Sequence, residues 1–277
     1  MVVPDNVVRA VNEGDVTTVV AWLDAGGDVN DSVSRTSHFP PGDTLLMVIP
    51  QSEGSQHVEL AKLLLQRGAD VNHVPDEVED KYSAVQCCLD CLSSASITER
   101  AAILEILGIY LAAGANVNHQ TWRGETALYL ALKYKNWRVN ERRSAFDSVT
   151  LLLRAGASLD DLCGSLTAEA VLDGSRDIID ELADDQHFIA CQQLISDVRA
   201  AGSWKAYARA PPKALLRLRS LVARGRARER KVRTRRKTPR EVALLFAPAF
   251  PNELFWRVLE YWNPRYEARR TPSPRPV

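Results

Sequence analysis

Along the chain, apolar and polar positions alternate in one phrase that keeps returning. It reads VVAWLDAGGDVN at 19–30, AKLLLQRGADVN at 61–72, GIYLAAGANVN at 108–118 and VTLLLRAGASLD at 149–160, with a worn copy, LISDVRAAGSW, at 194–204. Val20 and Leu23, or Leu63 and Leu64, fall on one stripe of a helix, and a glycine follows the last turn. A left-handed residue there closes the final carbonyls of a helix. The residues beyond the glycine lead into an extended finger, where Val29, Val71 and Val117 are expected to pack inward and Asn30, Asn72 and Asn118 to serve the turn. The shared glycines, Gly26, Gly68, Gly114, Gly156 and Gly202, are spaced 42, 46, 42 and 46 residues apart. Repetition on this scale predicts a stacked architecture in which each unit shields its neighbour's apolar side.

The phrase resembles the end of the ankyrin repeat, whose consensus is LLxxGADVN. The other half of that unit is present in worn form. Ala10, Val11, Gly14, Asp15 and Val16 stand in the first unit, Gly42 to Leu46 in the second, and Gly124, Glu125, Thr126, Ala127 and Leu128 in the fourth. Thr44 and Thr126 are expected to cap their first helices by accepting backbone N–H bonds. Met47 and Tyr129 stand at the family's histidine position, which predicts weaker hydrogen bonding between repeats. The resemblance implies an all-α ankyrin solenoid over residues 1–204. Its units lie near 5–37, 43–74, 81–120 and 124–161, with a degenerate cap at 164–204.

The spacings exceed the family's ~33-residue period by 9, 13, 9 and 13 residues. In the later units the surplus maps between the two helices, to SSASITERAA, KYKNWRVNERRS and the stretch around DGSRDIIDELADDQ. In the second it maps to SVSRTSHFPPG and QSEGSQ. These segments read as loops, either for binding or as tolerated length.

Charge divides the chain. Residues 1–204 hold 15 Lys/Arg against 30 Asp/Glu, and residues 205–277 hold 20 against 5. Two regions with different surfaces are expected. The longest apolar run, Leu45 to Pro50, is too short for a membrane span. The opening MVVPDNVVRAVNEGD carries acids where a signal or transit peptide has basic and apolar residues, so no export signal is expected. Five cysteines, three crowded at Cys87, Cys88 and Cys91, predict no disulfide framework. An intracellular protein, of cytoplasm or nucleus, is the expectation.

Catalytic patterns do not emerge: no phosphate loop, dinucleotide fingerprint or HExxH is present. His38, His57, His73, His119 and His187 are scattered. Cys87 and Cys91 are one helical turn apart, whereas structural zinc sites pair cysteines across tight turns; they read as small core residues. No cofactor, metal or small-molecule substrate is implied. A solenoid of this kind binds other macromolecules on its concave face and finger tips, so the expected partner is a protein. The candidate contacts are His38 and Phe39 in the first finger, His73 in the second, and Gln120, Trp122 and Arg123 in the third. Trp and Arg are enriched among interface hot spots. The alternative for Trp122 is packing against the next helix.

Residues 205–240 read as a basic helix and linker, with 15 Lys/Arg and one acid, Glu229, from Lys205 to Arg240. KALLRLRSLVARGRA has the spacing of an amphipathic helix; RERKVRTRRK does not. The run reads as a solvated linker, an import signal or a phosphate-binding segment. Residues 241–263 contain an amphipathic helix whose stripe is Leu254, Phe255, Val258, Leu259 and Trp262, opened by Pro251. The phrase FPNELFWRVLEYW is similar to the opening of an F-box (LPxEL, then IL): Pro251, Glu253, Leu254, Val258 and Leu259 match, and Phe250 replaces the leucine. Fifteen residues follow Trp262, fewer than the rest of an F-box needs. A SOCS box is a fainter resemblance, on Ala214, Leu215 and Ala223, with Arg219 where that pattern has cysteine. Both imply an adaptor that holds a substrate on its repeats and a ubiquitin ligase by its tail. The other reading of the helix is a cap on the last repeat. Residues 264–277 read as a disordered tail.

Overall fold

Four outer helices end in the same six-residue arrangement, and this sets the rhythm of the molecule. Ala69 N donates to Leu64 O at 3.0 Å and Gly68 N to Leu65 O at 3.1 Å; the pairs Gly27/Gly26, Ala115/Gly114 and Ala157/Gly156 repeat the pattern. The glycines at these ends, with Gly202, have φ between 77° and 97°, the left-handed region that L side chains avoid. Gly27 stands where the later repeats have alanine because the Trp22 ring occupies the space its Cβ would take.

The computed structural model describes residues 2–34, 39–52, 56–75, 82–138 and 141–224. It divides into two units, Met1–Ala200 and Ala201–Val277. The first is an all-α repeat. Its inner helices are α1 (Asp5–Glu13), α3 (Leu45–Val48), α5 (Ala84–Leu92), α7 (Ala127–Leu132) and α9 (Ala168–Ile178). Its outer helices are α2 (Val16–Asp24), α4 (His57–Gln66), α6 (Ile97–Ala112), α8 (Arg142–Ala155) and α10 (Gln186–Ala201). Each inner helix packs on the next, and α6 packs between α4 and α8. Val7, Val11, Leu45, Leu64, Leu89, Leu107, Leu128, Leu152 and Phe188 lie in the continuous core so formed. At the N-terminus, strand β1 (Val2–Val3) pairs in parallel with β2 (Ser32–Val33), Val2 opposite Ser32.

Neighbouring units are joined by a ladder of asparagines. Asn30 Nδ2 donates to Gly68 O at 3.3 Å while its Oδ1 accepts from Asp70 N at 2.7 Å. Asn72 does the same with Gly114 O and Asn116 N, and Asn118 with Gly156 O and Ser158 N. The expectation that these residues serve their own turns is corrected. That work falls to the residue two places earlier: Asp28, Asp70, Asn116 and Ser158 each accept from the N–H two residues on. At the fourth step Asp160 replaces asparagine, and its carboxylate meets Arg199 Nη1 at 3.0 Å.

In the later units the described parts of the surplus segments are largely helical rather than loops, whereas those of the second unit lie partly outside the described residues. Ser96 and Glu99 form a capping box that starts α6 inside SSASITERAA, lengthening that helix to 16 residues. In KYKNWRVNERRS a 3₁₀ turn, Tyr134–Trp137, buries Trp137 completely, edge-on to Phe188 at 5.0 Å between ring centroids. Arg100 Nη2 then meets Glu141 Oε1 at 3.2 Å, and Arg142 meets Asp185 and Glu181 at 3.1 Å each. The added length thus becomes packing between units, because an apolar ring and paired charges find partners in the next unit.

In the second unit, helix α11 (Trp204–Ala223) begins earlier than the pattern KALLRLRSLVARGRA predicts and runs through Pro211 and Pro212. Among the described residues, no helix is long and apolar enough to cross a membrane.

Candidate protein-binding surface

The third finger is built on a tight turn. Thr121 N donates to Glu125 O at 3.1 Å and Gly124 N to Thr121 O at 2.8 Å, which leaves Trp122 and Arg123 at the tip. Gly124 has φ 76°, and a Cβ there would stand 3.3 Å from Gly164 N of the fourth finger. The two fingers are fastened together. Thr126 N donates to Leu162 O at 2.8 Å, Gln120 Nε2 to Asp161 O at 2.9 Å, and Cys163 Sγ to Arg123 O at 3.6 Å.

From the other side, the buried Gln86 of α5 donates its amide to Glu125 O at 2.9 Å and to His119 O at 3.3 Å. Its Oε1 accepts from Ser83 N at 2.9 Å, closing a capping box at the start of α5. Gln86 is a residue that sequence reasoning missed. The signal was present: Ser83-x-x-Gln86 is the capping-box spacing.

On this rigid base Trp122 is 57% exposed, and the Arg123 guanidinium lies 5.0 Å from its ring centroid. Such stacking holds a cation against an indole face. More than half of the Trp122 side chain is thus open to solvent. Leu166, in the fourth finger, is also exposed.

The other expected contacts stand elsewhere. Phe39 is 7% exposed and belongs to the core. His73 is half-buried, and its Nε2 lies 3.0 Å from Gly42 O in the first finger, where the carbonyl accepts. Gln120 is exposed, but its amide donates to Asp161. His38 lies outside the described residues, as do Pro251, Leu254, Phe255, Val258, Leu259, Trp262 and the basic run 228–237. Thr126 caps α7 as expected, accepting from Tyr129 N at 3.2 Å. Thr44 does not cap α3: its carbonyl already takes the Met47 N–H at 2.9 Å, and its hydroxyl is buried without a partner.

Polar groups with shifted titration lie inside the fold. Burial pushes the Cys87 and Cys88 thiols well up, and that of Cys91 to about 12. Thiols so protonated are poor nucleophiles and poor metal ligands. Among the described residues, no three His, Cys, Asp or Glu side chains are placed to hold a metal ion. Burial also raises the Asp43 carboxyl to about 6, against a hydrogen bond from Gln51 and the neighbouring His73. His57 is shifted down by burial, with its Nε2 3.1 Å from Val11 O.

Helix pairs, fingers and glycine-closed ends define an all-α repeat protein. The ankyrin-repeat family model matches residues 42–76, and in that segment the chain is similar to an ankyrin repeat. The matched unit carries no long insertion between its helices. No curated protein matches the chain. Ankyrin repeats generally mediate protein–protein interaction and are typically non-enzymatic modules.

Proposed function

We propose that this protein is an interaction scaffold that binds a protein partner on the tips of its third and fourth fingers, with Trp122 and Arg123 as the anchor. The observation that carries this reading is a large aromatic side chain, 57% exposed, on a turn held from both sides by hydrogen bonds. Exposure of an indole costs solvation, and a rigid base spares a partner the entropy of ordering the loop. Binding proceeds by surface complementarity and needs no bond-making step.

The test is a comparison of full-length wild type with Trp122→Ala and Arg123→Ala in affinity purification. A partner retained by wild type is lost from both variants and kept by Ile97→Ala, which alters an exposed side chain at the start of α6. Retention of every partner by Trp122→Ala would remove the proposal.

The finer readings of the tail, a cullin-type ubiquitin-ligase adaptor or a nucleic-acid-associated regulator, rest largely on sequence outside the described residues; from 205 onward only 205–224 are described, of which 205–223 lie in α11. Recovery of cullin machinery that depends on Leu254 and Trp262 supports the first. DNA-column retention that weakens with salt supports the second.

A further inference from the structure

Within the insertion between α7 and α8 lies a cavity of about 10 Å³, lined by Leu92, Asn136, Glu141, Ser144, Ala145 and Ser148. One water molecule needs roughly that space. Two lining groups end in buried oxygens without a hydrogen-bond partner, Asn136 Oδ1 and Glu141 Oε2.

The surroundings fix what these atoms can accept. Asn136 is 5% exposed, and its Nδ2 donates to the Leu130 carbonyl, so its amide is oriented with Oδ1 left over. Glu141 gives its other oxygen to Arg100 Nη2 at 3.2 Å. The Ser148 hydroxyl donates to Ala145 O at 2.8 Å. Asn136 and Glu141, both lining residues, therefore each leave one acceptor oxygen that calls for a donor.

We propose that this cavity binds a single water molecule, which donates one O–H to Glu141 Oε2 and the other to Asn136 Oδ1. A bare metal cation fits less well. Calcium takes about six to eight oxygens, more than this lining supplies, and Arg100 already balances the Glu141 charge. Water brings two protons and needs no compensating charge. So placed, it links the ion pair between α6 and α8 to the turn that carries Trp137, and the insertion acquires a polar core of its own.

The experiment is a crystal structure of the full chain at a resolution that shows ordered water. The expected result is one peak at about 2.6–3.2 Å from both oxygens. An empty cavity, a Glu141 carboxyl resting directly on Asn136, or contacts near 2.4 Å as for a metal ion would each overturn the proposal. A solution measurement stands beside it. The ¹³C shift of the Glu141 carboxyl, followed against pH with Arg100 and Arg138 as its charged neighbours, should report a carboxylate at neutral pH. A carboxyl still protonated there would supply its own donor to Asn136, and the water would be unnecessary.

Discussion

The side-chain amide of Asn72 donates to the carbonyl of Gly114, at the end of the next unit's outer helix, at 3.3 Å. It also accepts from Asn116 N at 2.7 Å. One side chain thus reads both the closing glycine and the turn of the following repeat. Asn72→Ala removes both bonds in an exposed setting, where water replaces part of the loss. A destabilisation of about 1 kcal/mol is expected, measured as a lower urea midpoint, and Asn118→Ala should match it.

Gln86 holds more than the asparagines because it is buried. Gln86→Leu keeps the volume but leaves Glu125 O and His119 O without this donor. A loss of about 2–3 kcal/mol is expected. Fluorescence of Trp122 should also shift as the third finger loosens.

Trp137→Ala empties the space beside Phe188. Truncating a buried aromatic costs about 3–5 kcal/mol, so thermal unfolding should move to clearly lower temperature. Trp122→Ala, at the exposed tip, should stay within about 0.5 kcal/mol of wild type. Equal effects from the two would contradict their placement.

Asp43 carries a pH signature. Its carboxyl rises from 3.8 to about 6 because burial disfavours the charged form. Its contribution to stability is therefore fully present below 3.8, is lost as pH rises to about 6, and is level above. Asp43→Asn removes that slope. The variant should gain up to about 3 kcal/mol over wild type near neutral pH and little at about pH 4, read from urea midpoints at both. An identical gain at the two pH values would show that ionisation is not the cause.

The sequence made the repeat legible through its glycines, because a helix end that needs positive φ leaves a mark that only glycine satisfies readily. It did not disclose the asparagine ladder, since each partner lies some 38–44 residues away and the residue type also suits a local turn. Thr44 and Thr126 look alike in sequence, yet only Thr126 caps, because the short α3 uses the Thr44 carbonyl instead. Trp137 stood in a polar segment and read as loop; its burial depends on Phe188, 51 positions onward. Trp122 and Arg123 were placed at a finger tip from their position in the repeat and singled out by residue type. That they sit on a fastened base, while Phe39 and His73 turn inward, depended on contacts between fingers.

Asp160 stands where the earlier units place asparagine, and it answers to a guanidinium rather than to a further glycine carbonyl. A carboxylate has no hydrogen to offer, so the relay of donor and acceptor stops at that rung. The amide ladder ends there, and the fifth helix pair is fastened by charge instead. Extending the amide ladder by another rung would require restoring an amide at 160 and removing the arginine that now answers it.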